Sequence, residues 1–487
     1  MNSVVSELSP GLLDSSYAMT INGKSAVSQL TLPVYNPAKR EAFAEVPVAT
    51  RAQLDEAISA GRAAFPAWSN SPVEVRQAAV TALADRLEER AEEFMALLTR
   101  EQGKPRAGAE WEVGGSIHWL REIAKQRLPE EVIEDTKLRR VVTRYTPLGV
   151  VGAITPWNFP ILLAIWKIAP ALMAGNTIVV KPSPFTPLTT LRLGELAQGI
   201  LPDGVLNVVS GDDDLGRWMT SHPGLDKISF TGSTETGRHV MRSAADNIKR
   251  ITLELGGNDP AIVLPDVDPE TVAPQLFWAA FQNNAQFCQA TKRLFIHEDV
   301  YDSVRDALVA YARTVKVGDG AEEDTQIGPI QNLQQYEKVK EFFEDSRVQG
   351  HTFALGGQID ENASGWIVPV TLVDNPPESS KLVVEEPFGP ILPLLKWKDE
   401  ADVIARANDT IWGLGATVWS KDLEAAQRIG SQIEAGTVWI NEVHQYSPDQ
   451  AFGGHKQSGI GCENSLHGLM EYTNWQTITL NKVPNAV

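Results

Sequence analysis

The hydrophobic positions of this chain change their spacing along its length, and the spacing predicts the elements. The segment SPVEVRQAAVTALADRLEERAEEFMALL carries Val80, Leu83, Leu87, Phe94 and Leu98 at helical intervals. It opens with start signals: Ser71 as an N-cap, Pro72 in the first turn and Glu74 completing a capping box. Gly103 and Pro105 close it. From Val141 onward, short apolar runs alternate with helical segments. VVTRY, GVVGAI, NTIVVK, VLNVVS, KISF, RITLEL and PAIVLP read as strands, with helices such as 187–200 and 237–247 between them. After Pro265 the alternation restarts, with strands RLFIH, KLVVEE, ILPLLKW, GATVWS and TVWIN and helices over 300–314, 400–407 and 423–433. Wholly apolar strands between helices predict mainly parallel sheets covered on both faces. The expectation is an α/β fold of two doubly wound domains that meet near 256–265. Residues 1–33 read as an irregular arm with one short hairpin.

One apolar run, Gly149 to Trp166, has the length of a membrane span. Pro156 and Pro160 interrupt it, Asn158 lies in its centre and Lys167 closes it. A buried strand over 150–154, a loop over 155–160 and a helix from about Leu162 to Met173 fit these residues better.

Composition narrows the class. With 43% hydrophobic and 22% charged residues the chain is ordinary globular protein, and its net charge of −19 argues against a binder of nucleic-acid backbones. Two cysteines among 487 residues cannot build a disulfide framework, and they point to a reducing, cytoplasmic location. The first 16 residues show neither a basic n-region nor a long apolar run, so no secretion signal is expected. No Cys-x-x-Cys or His-x-x-x-His spacing occurs, so no metal is expected.

Several short segments could carry chemistry, and each also has a bland reading. In KISFTGSTETG a strand runs into Thr231, Gly232 and Ser233, and a helix begins near Thr236. Small residues there suit a phosphate at a helix N-terminus, although the G-x-G-x-x-G spacing is missing and a ligand-free turn looks the same. Lys181 ends a strand, where open α/β sheets bind ligands, or is a surface lysine. Glu254, inside an apolar run before Gly256 and Gly257, is either ion-paired or a buried carboxylate suited to general base work. Asn158 sits between two prolines in TPWNFP, as a turn residue or as a fixed amide for an oxyanion. EEPFGP offers a carboxylate for ribose hydroxyls and an aromatic ring, or only a charged turn. Cys288, in NNAQFCQATKR, has no histidine nearby in sequence to serve as its base, and a buried cysteine is usually inert.

Taken in order, TPWNFP, KPSP, FTGSTETG, LELGGNDP, QFC, EEPFGP and FGGHKQSG resemble the NAD(P)-dependent aldehyde dehydrogenase superfamily, from about Tyr35 to the C-terminal GLMEYTNWQTI. The resemblance implies a Rossmann-like cofactor domain (1–127 and 148–256), a catalytic domain (257–457) and a small β oligomerisation hairpin (128–147, with 470–487). Cys288 would be the nucleophile, with Asn158 and a backbone N–H at Cys288 holding the oxyanion. The thiohemiacetal would give hydride to the nicotinamide, and Glu254 would activate the water that hydrolyses the thioester. Acylating relatives that use coenzyme A tend to lack this glutamate, so the hydrolytic branch is implied. Lys181 would bind the adenosine ribose, Ser233 with Gly232 the pyrophosphate and Glu386 the nicotinamide ribose. Phe388 would lie beside the ring, and Trp157 and Thr155 would also face the cofactor. Pro184 stands where many NAD-preferring relatives carry a ribose-binding glutamate. NAD is therefore the first choice of cofactor, with NADP open. Ala451 and Cys462 also depart from the family pattern, and Cys462 reads as a passive substitution.

Phe159, Leu163, Trp166, Phe287, Gln289 and Phe452 would line the substrate tunnel, with 442–450 at its mouth and His444 and Tyr446 free to bind a polar substituent. Gln286 is a further tunnel-wall candidate. With no lysine or arginine among them, an apolar aliphatic or aromatic aldehyde is expected rather than a phosphorylated aldehyde or a semialdehyde carrying a carboxylate, a semialdehyde-specific dehydrogenase being the alternative. The family also implies a homodimer or dimer of dimers, and no nucleic-acid or membrane partner. Readings from other classes are a cofactor-independent cysteine thioesterase or esterase, and a silent structural relative.

Overall fold

The computed structural model of the chain describes residues 16–483. The sequence readings on residues 1–15, including the absence of a secretion signal, lie outside them. The first sheet has eight strands, in the order Lys24–Ala26, Met19–Ile21, Leu206–Val208, Thr177–Lys181, Val150–Ile154, Lys227–Thr231, Arg250–Glu254 and Gly459–Ile460. Its five central strands are parallel, and antiparallel strands close both edges. The register sets Ile154 beside Lys181 and beside Phe230, and Thr231 beside Glu254. Lys181 and Glu254 therefore stand at the carboxyl ends of the sheet, on opposite sides of the strand Val150–Ile154. The order of strands reverses there, and open α/β sheets hold ligands at such a point.

The second sheet runs Thr352–Leu355, Thr371–Asp374, Ile391–Trp397, Thr291–His297, Asp259–Val263, Gly415–Trp419 and Thr437–Ile440, all parallel except the first strand. The protein is thus α/β with two Rossmann-like units. A third, three-stranded sheet pairs Thr473–Asn481 with Arg139–Pro147, and that with Glu131–Asp135. Val132, Ile133, Leu138, Trp475, Ile478 and Leu480 are exposed on it.

The helix Pro160–Met173 is buried at every residue, which explains its continuous apolar sequence. Among the described residues no helix is long and apolar enough to cross a membrane.

Three sequence expectations need correction. The helical stripe from Val80 to Leu98 is buried, but it belongs to two helices, Val73–Glu89 and Ala91–Gln102, broken at Arg90 (φ −113°, ψ 13°). Ser71 does not cap the first of them. Its hydroxyl donates to the Trp68 carbonyl at 2.6 Å, at the end of the preceding helix, and Pro72 takes the N-cap position without a side-chain bond. KLVVEE is not a strand: Lys381–Val384 forms one helical turn with Leu382 and Val383 buried and Val384 exposed. So short an apolar run does not distinguish a strand from a helix by period.

Candidate active site

Cys288 follows a stretch of unusual backbone. Asn283, Asn284 and Ala285 have φ of 52°, 58° and 58°, in the left-handed region that side-chain-bearing residues avoid. The neighbouring amides hold this turn in place. Asn283 Nδ2 donates to the Asn158 and Gln286 carbonyls at 3.1 and 3.2 Å, and Asn284 Nδ2 to the Gly328 carbonyl at 2.9 Å. Gln286 donates to the Asn283 and Pro329 carbonyls and accepts from the Gln331 N–H at 2.8 Å. Gln286 is therefore a fastener of main chain, 1% exposed, and not a tunnel wall. The amide-rich sequence fixes where the thiol points.

Asn158 is held from two sides. Its carbonyl accepts from Lys104 Nζ and Asn283 Nδ2, both at 3.1 Å, and its Nδ2 donates to the Gln286 carbonyl at 3.1 Å. A primary amide has two N–H groups, so one is left over in a plane already fixed. Lys104 is itself paired to the buried Glu112, whose other oxygen accepts from the N–H groups of Ile161 and Leu162 at the start of the buried helix. Thr155 donates its N–H to the Lys181 carbonyl at 3.1 Å, and its buried hydroxyl has no partner among the described residues.

Glu254 is 3% exposed, and neither carboxyl oxygen has a partner among the described residues. Burial raises its pKa well above the carboxylate range, the nearby Glu463 adds to the rise, and Lys167 opposes it. Lys167 is in turn ion-paired to Glu463. Burial also pushes the Cys288 thiol far up; Lys292 opposes this, while Asp259, Glu254 and Glu386 add to it. No helix begins at Cys288, so helical polarity does not lower its pKa. Cys462 is half-buried, and burial raises its thiol to about 11.

The residues expected from the sequence to face the cofactor lie along the strand ends. Lys181 is 3% exposed, and its ammonium meets only the Pro182 carbonyl, at 3.4 Å, among the described residues. Burial lowers its pKa to about 8, against the raising effect of Asp213 and Asp212. A buried cation with so little to bind fits a ligand oxygen. Gly232 has no room for a side chain, since a Cβ would come within 2.5 Å of the Phe230 ring. Ser233 caps the helix Thr234–Ala245, accepting from Thr236 N at 3.2 Å, and is exposed at its N-terminus. Pro184 is half-buried two residues beyond Pro182. Glu386 Oε1 accepts from the Gly257 N–H at 3.2 Å. Phe388 has φ 50° and packs edge-on to Trp157 at 5.4 Å, while Gln335 Nε2 donates to the Pro387 and Phe388 carbonyls.

On the other side of Cys288 the walls are aromatic. Phe159 and Phe287 lie 4.8 Å apart, Trp166 and Phe452 5.0 Å, and Phe287 and His444 4.4 Å. Leu163 is buried one turn along from Phe159, to whose carbonyl its N–H donates. Trp111 against Phe159, Trp119 against Trp166 and Trp439 against His444 complete the cluster. Sequence reasoning missed these three, although Trp111 and Trp119 share a helix two turns apart. His444 does not offer a free nitrogen. Nδ1 lies 2.7 Å from Gln282 Oε1 and Nε2 3.1 Å from the Gln289 carbonyl, and burial lowers its pKa to about 4; the neutral ring has one N–H and donates to one of these two oxygens. Tyr446 donates to Gln289 Oε1 at 2.8 Å, and Gln289 Nε2 donates to the Leu414 carbonyl at 3.3 Å. Lys104 lies 4.2 Å from the Phe159 ring centroid, already paired to Glu112.

Lys292 was not foreseen. Its ammonium meets the carbonyls of Cys288, Phe287 and Ala290 and a Glu386 oxygen.

Comparison with known proteins agrees with this geometry. The model of the aldehyde dehydrogenase family matches residues 25–478. A probable aldehyde dehydrogenase from a Pseudomonas species is 41% identical over 96% of this chain and 95% of its own. The phenylacetaldehyde dehydrogenase of Pseudomonas fluorescens is 38% identical, over 95% and 96% respectively. The NAD+ complex of a Bacillus cereus aldehyde dehydrogenase superposes with a TM-score of 0.94 at 36% identity, covering 98% of this chain and 99% of that one. This chain belongs to the aldehyde dehydrogenase family, and is an aldehyde oxidoreductase that works with a nicotinamide cofactor.

Proposed function

We propose that the protein oxidises an apolar, aromatic or aliphatic, aldehyde to its carboxylic acid by the hydrolytic route, with Cys288 as nucleophile and Glu254 as base. The observation that carries this reading is Glu254 itself: a buried carboxylate at a strand end, unpaired at both oxygens, whose charge reaches the Cys288 thiol. A carboxylate held this way has no structural bond to make and can take a proton from water. Cys288 attacks the carbonyl carbon, and the Asn158 amide and the Cys288 N–H receive the oxyanion. A bound nicotinamide would supply the acceptor for the hydride that leaves the substrate carbon. Glu254 then deprotonates the water that attacks the Cys288 thioester, and the acid leaves.

For the cofactor, Lys181 would hold the adenosine ribose, Gly232 and Ser233 the pyrophosphate, and Glu386 the nicotinamide ribose, with Phe388, Trp157 and Thr155 alongside. NAD is the preferred form. Pro184 supplies no carboxylate against a 2′-phosphate, but Asp212 and Asp213 bring negative charge to Lys181. The substrate preference rests on the aromatic walls and on polar groups that bond one another. The exposed apolar residues of the three-stranded sheet support a homodimer or dimer of dimers, and the two-cysteine composition supports a cytoplasmic location.

A panel of octanal, benzaldehyde, phenylacetaldehyde and succinic semialdehyde, each with NAD and with NADP and followed at the nicotinamide absorbance band, tests the reading. Apolar aldehydes should give the highest kcat/KM. Preference for the semialdehyde would refute the substrate assignment. Ester hydrolysis without reduction of either cofactor by any aldehyde would replace the activity with a cysteine esterase.

A further inference from the structure

Lys292 is 3% exposed and surrounded by acceptors. Its Nζ lies 2.5 Å from the Cys288 carbonyl, 3.2 Å from that of Phe287, 3.3 Å from that of Ala290 and 3.2 Å from Glu386 Oε1. An ammonium has three hydrogens and no preferred plane, so it can serve a converging set of this kind where a planar guanidinium cannot. The same Glu386 oxygen accepts from the Gly257 N–H. Gly257 faces the Cys288 carbonyl so closely that a Cβ would stand 2.8 Å from it. Three stretches of chain, at Gly257, 287–292 and Glu386, thus meet behind the nucleophile.

We propose that Lys292 is a positioning residue that fastens the Cys288 loop to Glu386, so that the nucleophile and the carboxylate meant for the nicotinamide ribose are held as one unit. Two consequences follow from its chemistry. Without the ammonium, the carbonyls of Cys288 and Ala290 lose this donor, that of Phe287 keeps the Ala290 N–H, and the largely buried Glu386 keeps the Gly257 N–H but loses its counter-charge. The thiol also loses a neighbouring positive charge. Cys288 is faced by Lys292 and Glu386, by Glu254 at the end of Arg250–Glu254, by Asp259 at the start of Asp259–Val263, and by Tyr446 from the tunnel mouth. Burial raises Asp259 to about 7, with Lys292 opposing. The inference rests on Cys288 as nucleophile and Glu386 as ribose ligand, so its test is made without aldehyde.

The experiment is iodoacetamide alkylation of Cys288 in the cofactor-free enzyme across pH, read by peptide mass spectrometry in a Cys462→Ser background, together with NAD binding followed by tryptophan fluorescence. Lys292→Met should shift the alkylation profile to higher pH by about one unit, a tenfold slower rate at a fixed pH below it. It should also weaken NAD binding ~fivefold through the lost preorganisation of Glu386. Glu386→Gln should shift the profile the opposite way, because Lys292 then acts on the thiol uncompensated. Lys292→Arg, which keeps the charge, should retain a profile close to that of the parent and still bind NAD less well. A purely structural lysine would change melting temperature and leave the profiles in place. Superimposed profiles, or shifts of Lys292→Met and Glu386→Gln in the same direction, overturn the proposal. If Lys292→Met does not fold, the sign of the Glu386→Gln shift decides. Failure of all aldehydes to reduce NAD would leave these shifts intact and count against the proposed reaction alone.

Discussion

The two sides of Cys288 are built on opposite terms. Toward the substrate tunnel, most polar groups are bonded to one another: His444, the Tyr446 hydroxyl and the Gln289 amide have partners inside the wall, while the Trp166 indole N–H has none among the described residues. Toward the strand ends of the first sheet, polar groups are unpaired or nearly so among the described residues, as with the Thr155 hydroxyl, the Lys181 ammonium and both oxygens of Glu254. Buried polar groups without partners cost stability, so a fold keeps them where a ligand or water completes them. The difference teaches which side awaits polar chemistry and which side only shapes an apolar body.

The sharpest way to break the comparison is at its centre. Cys288→Ser should lower aldehyde oxidation by about 10⁴-fold or more, since a hydroxyl without an adjacent base is a poor nucleophile, while NAD binding by fluorescence stays close to that of the parent. Asn158→Ala removes the fixed amide and should lower kcat by roughly 10²–10³-fold, with a smaller effect on KM.

Both groups proposed to react have pKa values raised by burial, Cys288 and Glu254 alike. A raised pKa means that the protonated, inactive form prevails at low pH and that the active base forms as pH rises. Both kcat/KM, through Cys288, and kcat, through Glu254, should therefore rise with pH from neutrality into the alkaline range. A profile that falls over this range would contradict the assignment of both groups. The smallest expected effect is on the cofactor side. Pro184→Glu should shift preference toward NAD over NADP by about tenfold, through repulsion of the 2′-phosphate, without altering the order of aldehydes.

How much of this was visible beforehand depended on range. The two sheets were legible because parallel strands buried on both faces leave unbroken apolar runs, as in NTIVVK and RLFIH. The break at Arg90 was not, since Phe94 keeps the helical spacing from Leu87 across it. Cys288, Glu254 and Asn158 were singled out by local oddity and joined by resemblance. Lys292 escaped notice because a lysine entering the strand TKRLFIH reads as an ordinary charged residue, and its partner Glu386 is remote in sequence. Gln286 and His444 drew the opposite error. Polar residues near a site suggest ligands, but these two spend their hydrogen bonds on Asn283, Pro329, Gln331, Gln282 and Gln289.

The central claim is the division of labour between Cys288 and Glu254, and Glu254→Gln tests it most directly. Rapid mixing of this variant with NAD and a good aldehyde should give a burst of about one NADH per active site, followed by turnover slowed roughly 10²–10³-fold, because the thioester forms but water is not activated. Turnover at the parental rate after mixing, or loss of the burst itself while NAD still binds, would contradict it.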